Sequence, residues 1–150
     1  MIPTLRGRLQ TRLFAVIIIG GVCTALVTPL LPGFPPGTPV SERYVDTFSV
    51  LAAVLVLGIF WEFVYHFLQQ FRWEKDWPTL FGLLTFANEV LLVWFALRLG
   101  WVPNIESLPP ARLWITHFVI VWIVIFGFLN GPMKVVFIRW RFRGGRLVGP

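Results

Sequence analysis

The sequence predicts an all-α integral membrane protein with four transmembrane helices in an up-down bundle, and three observations predict it. Of the 150 residues, 57% are hydrophobic and only 13% charged, about half the charged share of an ordinary soluble domain. Mean hydropathy is +0.76. Apolar runs of about 20 residues, the length that crosses a bilayer core, recur along the chain between charged or proline-rich segments. The chain, 1–150, is read as a single membrane domain. Its composition excludes a water-soluble globule, a disordered tail and a disulfide scaffold.

The first span is expected over 13–31, preceded by Arg6, Arg8 and Arg12 as a basic flank. The run is longer than the apolar core of a cleavable signal and lacks an A-x-A-like site, so it reads as a retained helix. Gly21 and Ala25 form a small-xxx-small pair beside Gly20, Thr24 and Thr28. Such a face packs against another helix, in the same chain or in another subunit. The one cysteine, Cys23, reads as a small buried hydrophobe. With no CxxC, the chain lacks the cysteine pairs of the quinone-linked disulfide oxidoreductases.

Leu31–Pro39, LPGFPPGTP, cannot be helical and reads as a stiff connection. The second span is expected over 47–68, the third over 78–99 and the fourth over 113–131. Trp73 and Trp77 are placed as interfacial anchors, and Pro78 suits the first turn of the third helix. Asn130-Gly131-Pro132 should bend or end the fourth helix. The tail 132–150 then alternates apolar and basic residues through Ile138-Arg139-Trp140-Arg141-Phe142-Arg143. Period two is a strand pattern, which fits an extended segment on the membrane surface; whether the tail is extended or helical stays open, and a basic interfacial tail is expected either way. Arg139, Arg141, Arg143 and Arg146 would lie among anionic lipid headgroups, or on a partner protein, with Trp140 and Phe142 in the interface.

Four spans put both termini on one side of the membrane. The basic residues decide which side. Arg6, Arg8, Arg12, Arg72, Lys75, Lys134, Arg139, Arg141, Arg143 and Arg146 fall on the side of the termini, against Arg43, Arg98 and Arg112 opposite. Both termini are therefore expected in the cytoplasm, with the chain in a plasma membrane. The arginine, glycine and proline bias suggests a bacterial inner membrane. A net charge of +6 then reflects membrane flanks, and no motif points to nucleic acid.

Ionisable groups inside a span are costly and mark function by default. Glu62 and His66 on the second helix, Glu89 on the third and His117 on the fourth qualify, with Asn88 as a neutral companion. Gly58, Glu62, His66 and Gln70 recur at steps of four and so share one face, where Gly58 admits a close neighbour. At about 1.5 Å per residue, Glu62 and Glu89 lie roughly 12 and 16 Å from the cytoplasmic ends of their helices. They are therefore expected to form a pair. Two adjacent carboxylates do not both ionise easily, so one or both should hold a proton, with Asn88, His66 or Thr85 as partner. Glu62, His66 and Glu89 are also the candidates for a metal site, although no standard ligand motif is present. No nucleophile constellation or phosphate loop is found, and no cofactor is implied.

The leading functional expectation is a non-enzymatic accessory, assembly or stabilising subunit of a larger membrane complex, with other subunits or copies of itself as partners. The first alternative is a small proton-coupled transporter or channel using Glu62 and Glu89. In size the chain resembles the small multidrug-resistance transporters, but the span 13–31 lacks the glutamate which that family carries in its first helix. The second alternative is a membrane-embedded metalloenzyme acting on a lipid or quinone.

Overall fold

The computed structural model describes residues 3–73, 79–105 and 108–149. Helix accounts for 76% of the described residues, which contain no strand. Four helices are long and apolar enough to cross a membrane: α1 Leu5–Leu30, α2 Val40–Gln69, α3 Thr79–Arg98 and α4 Ala111–Asn130. The expected spans thus appear as helices, and the architecture is compatible with a multi-pass membrane protein. Two short helices follow, α5 Pro132–Val136 and α6 Ile138–Phe142. Trp77, Pro78 and Lys75, to which the sequence reading gave roles, lie outside the described residues.

α1 begins eight residues before the expected start, and this shift reshapes the site. Thr4 caps it, its hydroxyl accepting from the Gly7 N–H at 3.1 Å, as an N-cap threonine does. Arg8 and Arg12 therefore lie within the helix. The inward face of α1 carries Arg8, Arg12, Val16, Gly20, Thr24 and Thr28, all at steps of four. A step of four overshoots a 3.6-residue turn by about 40°, so an ideal α-helix would carry this stripe round more than half its circumference. The turns at Ala15–Gly20 are π-helical. Their wider i→i+5 winding takes up the drift and keeps arginines and threonines on one face.

α2 begins at Val40, seven residues before the expected start at 47, with Pro39 at its N-cap; the polar first turns, 41–46, lower the local hydropathy where the helix has already begun. Its inward residues are Thr47, Val50, Leu51, Gly58, Tyr65 and Gln69. The connection between α1 and α2 is tied by the Thr28 and Thr47 hydroxyls, 2.8 Å apart.

Packing differs between the two ends of the bundle. At the end away from the tail, α2, α3 and α4 enclose a dense core of Val50, Val93, Ala96, Leu97, Val102, Trp114 and Phe118. A smaller cluster of Val16, Cys23, Leu51 and Val121 joins α1 to it. Toward the tail the helices part.

The tail is helical and folded back on α1, which decides between the extended and helical alternatives that the sequence leaves open. The chain turns at Gly131 and again at Phe137, whose φ/ψ of −105/63° lies outside the helical region. Trp140 is buried and donates its indole N–H to the Thr11 hydroxyl at 2.8 Å. An indole N–H needs an acceptor once it is buried, and this one lies within the chain rather than in the interface. The Thr4 N–H donates to the Gly144 carbonyl at 2.9 Å, and Gln10 Oε1 accepts from the Leu147 N–H at 2.8 Å. Gly7 permits the contact, since a Cβ there would overlap the Gly144 carbonyl. Arg139, Arg141, Phe142 and Arg143 remain exposed, while Arg146 is half-buried and donates to the Arg143 carbonyl.

Candidate functional site

Where the helices part, a chamber of about 750 Å³ opens between α1, α2, α3 and α4 and reaches the tail. α3 contributes Thr79, Gly82, Thr85 and Glu89, spaced by three or four so that they share one face. α4 contributes His117, Val121, Trp122, Ile125, Phe126 and Asn130. His117 and Asn130 stand about 20 Å apart along the helix. The volume lies within the range of small-molecule sites, roughly 300–1,000 Å³.

One wall is a network of four charges. Arg12 donates from Nη1 and Nη2 to the two oxygens of Glu89, both at 2.7 Å. Its Nη1 also lies 3.6 Å from Glu62 Oε1, and its Nη2 donates to the Val54 carbonyl at 3.2 Å. Arg8 reaches Glu62 Oε2 at 3.3 Å and donates to Gln69 Oε1 at 2.9 and 3.3 Å. Two positive and two negative charges thus balance within one cluster. The fork of Arg12 matches a carboxylate at both oxygens, the strongest common ion-pair geometry. Gly58 makes room for it, since a Cβ at 58 would occupy the space of the Arg12 guanidinium.

Glu62 and Glu89 are therefore brought to one cluster, but their partners differ from those expected. A cation from α1 stands between the carboxylates where a shared proton with Asn88, His66 or Thr85 was anticipated. Thr85 instead donates to the Gly82 carbonyl within its own helix, and Asn88 lies on an exposed side of α3. The step-four stripe on α2 also divides. Gly58 and Glu62 face the cluster, and Tyr65 and Gln69 continue the buried face. His66 is only half-buried and Gln70 is exposed, because each step of four turns about 40° further round the helix. Glu62, His66 and Glu89 do not converge. Among the described residues no three His, Cys, Asp or Glu side chains are grouped so as to share an ion.

His117 sits at the deep end of the chamber, 2% exposed, with Nε2 against the Thr24 hydroxyl at 2.9 Å. Its Nδ1 is buried with no hydrogen-bond partner among the described residues, so the ring retains hydrogen-bonding capacity on the chamber wall. Trp122 and Phe126 stack at 4.9 Å and 11°, and Phe86 meets Trp122 edge-on at 5.0 Å. Gly20 of α1 packs inward, against Leu51, Ile125 and Val121. Gly21 and Ala25 face outward, and a Cβ at Gly21 would meet nothing within 4 Å.

Arg8 and Arg12 are the site residues that the sequence reading missed. They stood beside an apolar run and counted naturally as a flank. The signal that would have placed them is the step-four stripe from 8 to 28, read together with two unmatched glutamates at similar depth. Comparison with known proteins found no matching family model, no similar curated protein and no similar solved structure.

Proposed function

We propose that the protein binds a small molecule within the membrane, in the chamber between its four helices, as a carrier or transporter of that molecule. In this reading the four spans run up and down through a plasma membrane, that of a bacterial cell, with both termini in the cytoplasm. The chamber therefore opens from the cytoplasmic half. The observation that carries the reading is the chamber itself, because helical interiors are normally packed with few voids larger than a water molecule. Here a space of about 750 Å³ is bordered by Arg12, Glu89, His117 and Trp122, a mixture of apolar wall and convergent polar groups typical of ligand sites.

The ion-pair network sets the chemistry of the wall. Because Arg8 and Arg12 balance Glu62 and Glu89, this part of the wall presents polarity without net charge. It also ties α1 to α2 and α3, so a movement of α1 would have to break charge-assisted bonds. That arrangement suits a gate as well as a brace.

A second reading, an accessory or assembly subunit, draws on the outward strip of Gly21 and Ala25, flanked by exposed Ile17, Ile18 and Val22. Small residues let another helix approach closely. Native mass spectrometry of gently extracted protein separates the two. A bound non-protein mass of a few hundred daltons, lost in Gly82→Leu, supports the chamber. Stoichiometric unrelated polypeptides with no such mass would replace it by the subunit reading.

A further inference from the structure

We infer that the chamber takes an anionic amphiphile, a hydrocarbon chain bearing a phosphate or carboxylate headgroup, with the headgroup held at the tail end by Lys134 and Arg141. The inference rests on the chamber reading and names its ligand class.

The charges on the wall do not all cancel. Glu62 and Glu89 are matched by Arg8 and Arg12. Lys134 and Arg141 line the same chamber, and no acidic side chain pairs with either among the described residues. Lys134 Nζ donates to the neutral Asn130 Oδ1 at 3.1 Å, which leaves its charge uncompensated. The Arg141 guanidinium lies 5.8 Å from the Phe142 ring centroid. The tail turns that place Trp140, Arg141 and Phe142 at this end are fixed by the bonds to Thr4, Gln10 and Thr11.

From there the wall of α4 is apolar for several turns through Leu129, Phe126, Ile125, Trp122 and Val121. A site that is cationic at one end and apolar along its α4 side, with the balanced Arg–Glu network on the opposite wall, complements a ligand that is anionic at one end and presents a hydrocarbon chain to α4. A free inorganic anion would use only the first part. The membrane supplies the amphiphile directly, and the headgroup would sit at the level where basic residues meet anionic lipid.

The test uses quenching of tryptophan fluorescence by a brominated acyl chain, taking the component lost in Trp122→Phe as the chamber signal. Three probes are compared on purified full-length protein: brominated lysophosphatidate, the uncharged brominated monoacylglycerol, and inorganic phosphate as competitor. Lysophosphatidate is expected to saturate the chamber signal. Lys134→Gln with Arg141→Gln should weaken it about 30-fold, which is about 2 kcal/mol, while leaving monoacylglycerol binding unchanged and so showing the fold intact. Inorganic phosphate should compete only weakly. Equal weakening of both lipids, or displacement by phosphate at the concentration where lysophosphatidate binds, would overturn the amphiphile assignment and leave the chamber standing. Absence of any saturable, Trp122-dependent quenching by either lipid would overturn both.

Discussion

Replacing Arg12 with Met tests whether the charge network holds α1 in place. Glu89 is 5% exposed and takes both of its 2.7 Å bonds from Arg12. The substitution keeps an unbranched chain of similar length but leaves Glu89 without its cation. Breaking a buried pair from one side typically costs about 3–5 kcal/mol, most of it the uncompensated charge left behind. The doubly substituted Arg12→Met, Glu89→Met chain has no such charge, and should recover all but about 1 kcal/mol. The expected coupling is therefore at least 2 kcal/mol, well above the roughly 0.6 kcal/mol average for polar contacts between membrane helices. Arg8→Met should cost less, because Glu62 keeps Arg12 at 3.6 Å. The assay is reversible unfolding in bicelles, completed as a double-mutant cycle. A loss below 1 kcal/mol for Arg12→Met, or additive single and double values, would refute the network as a lock on α1.

The other expectations follow the same contacts. Gly58→Ala places a methyl where the Arg12 guanidinium lies and should cost about 1–3 kcal/mol as overpacking; in the Arg12→Met background the cost should nearly vanish, as read by the same unfolding assay. Trp140→Phe removes the bond to Thr11 and should cost about 1 kcal/mol, seen as faster tryptic cleavage at Arg139 and Arg141. Gly7→Ala should release the same tail, because the Gly144 carbonyl occupies the space of the new Cβ; unchanged cleavage would count against the docked tail. Gly82→Leu extends into the chamber, where a Cβ first meets Phe126 at 3.8 Å, and should fold normally with an unchanged or raised thermal midpoint.

Helices were legible wherever hydropathy alone determines them. The third and fourth spans begin and end within about two residues of expectation, because Pro110 and Gly131 mark the limits of α4 in the sequence itself. The beginning of α1 was not legible from hydropathy, since Arg8 and Arg12 lower the local average just where the helix has already begun. Their burial becomes favourable only through Glu62 and Glu89, residues distant in sequence, which a local reading cannot pair. The glutamate pair itself was legible, because depth along a helix follows from residue counting. The conformation of the tail was not legible for a related reason. Its alternating pattern suits a strand, but six residues carry little local preference, and docking of Trp140 on Thr11 and of Gly144 on Thr4 decides the conformation. The chamber left no mark in the sequence, since a cavity is what packing fails to fill.

A small molecule held in the chamber would lie in the interior beside α4. Methyl-resolved NMR in nanodiscs of protonated lipid, with the protein otherwise deuterated, tests for it directly. Val56 is 65% exposed and faces outward, whereas Val93 is 1% exposed within the packed core. Val121 is 4% exposed and lines the chamber, as does Ile125. Val121 and Ile125 are expected to show nuclear Overhauser contacts to non-protein hydrocarbon, as Val56 should, and Gly82→Leu is expected to abolish them. If both methyls instead see only protein, as Val93 should, the chamber holds no such ligand and the protein is not a carrier of this kind.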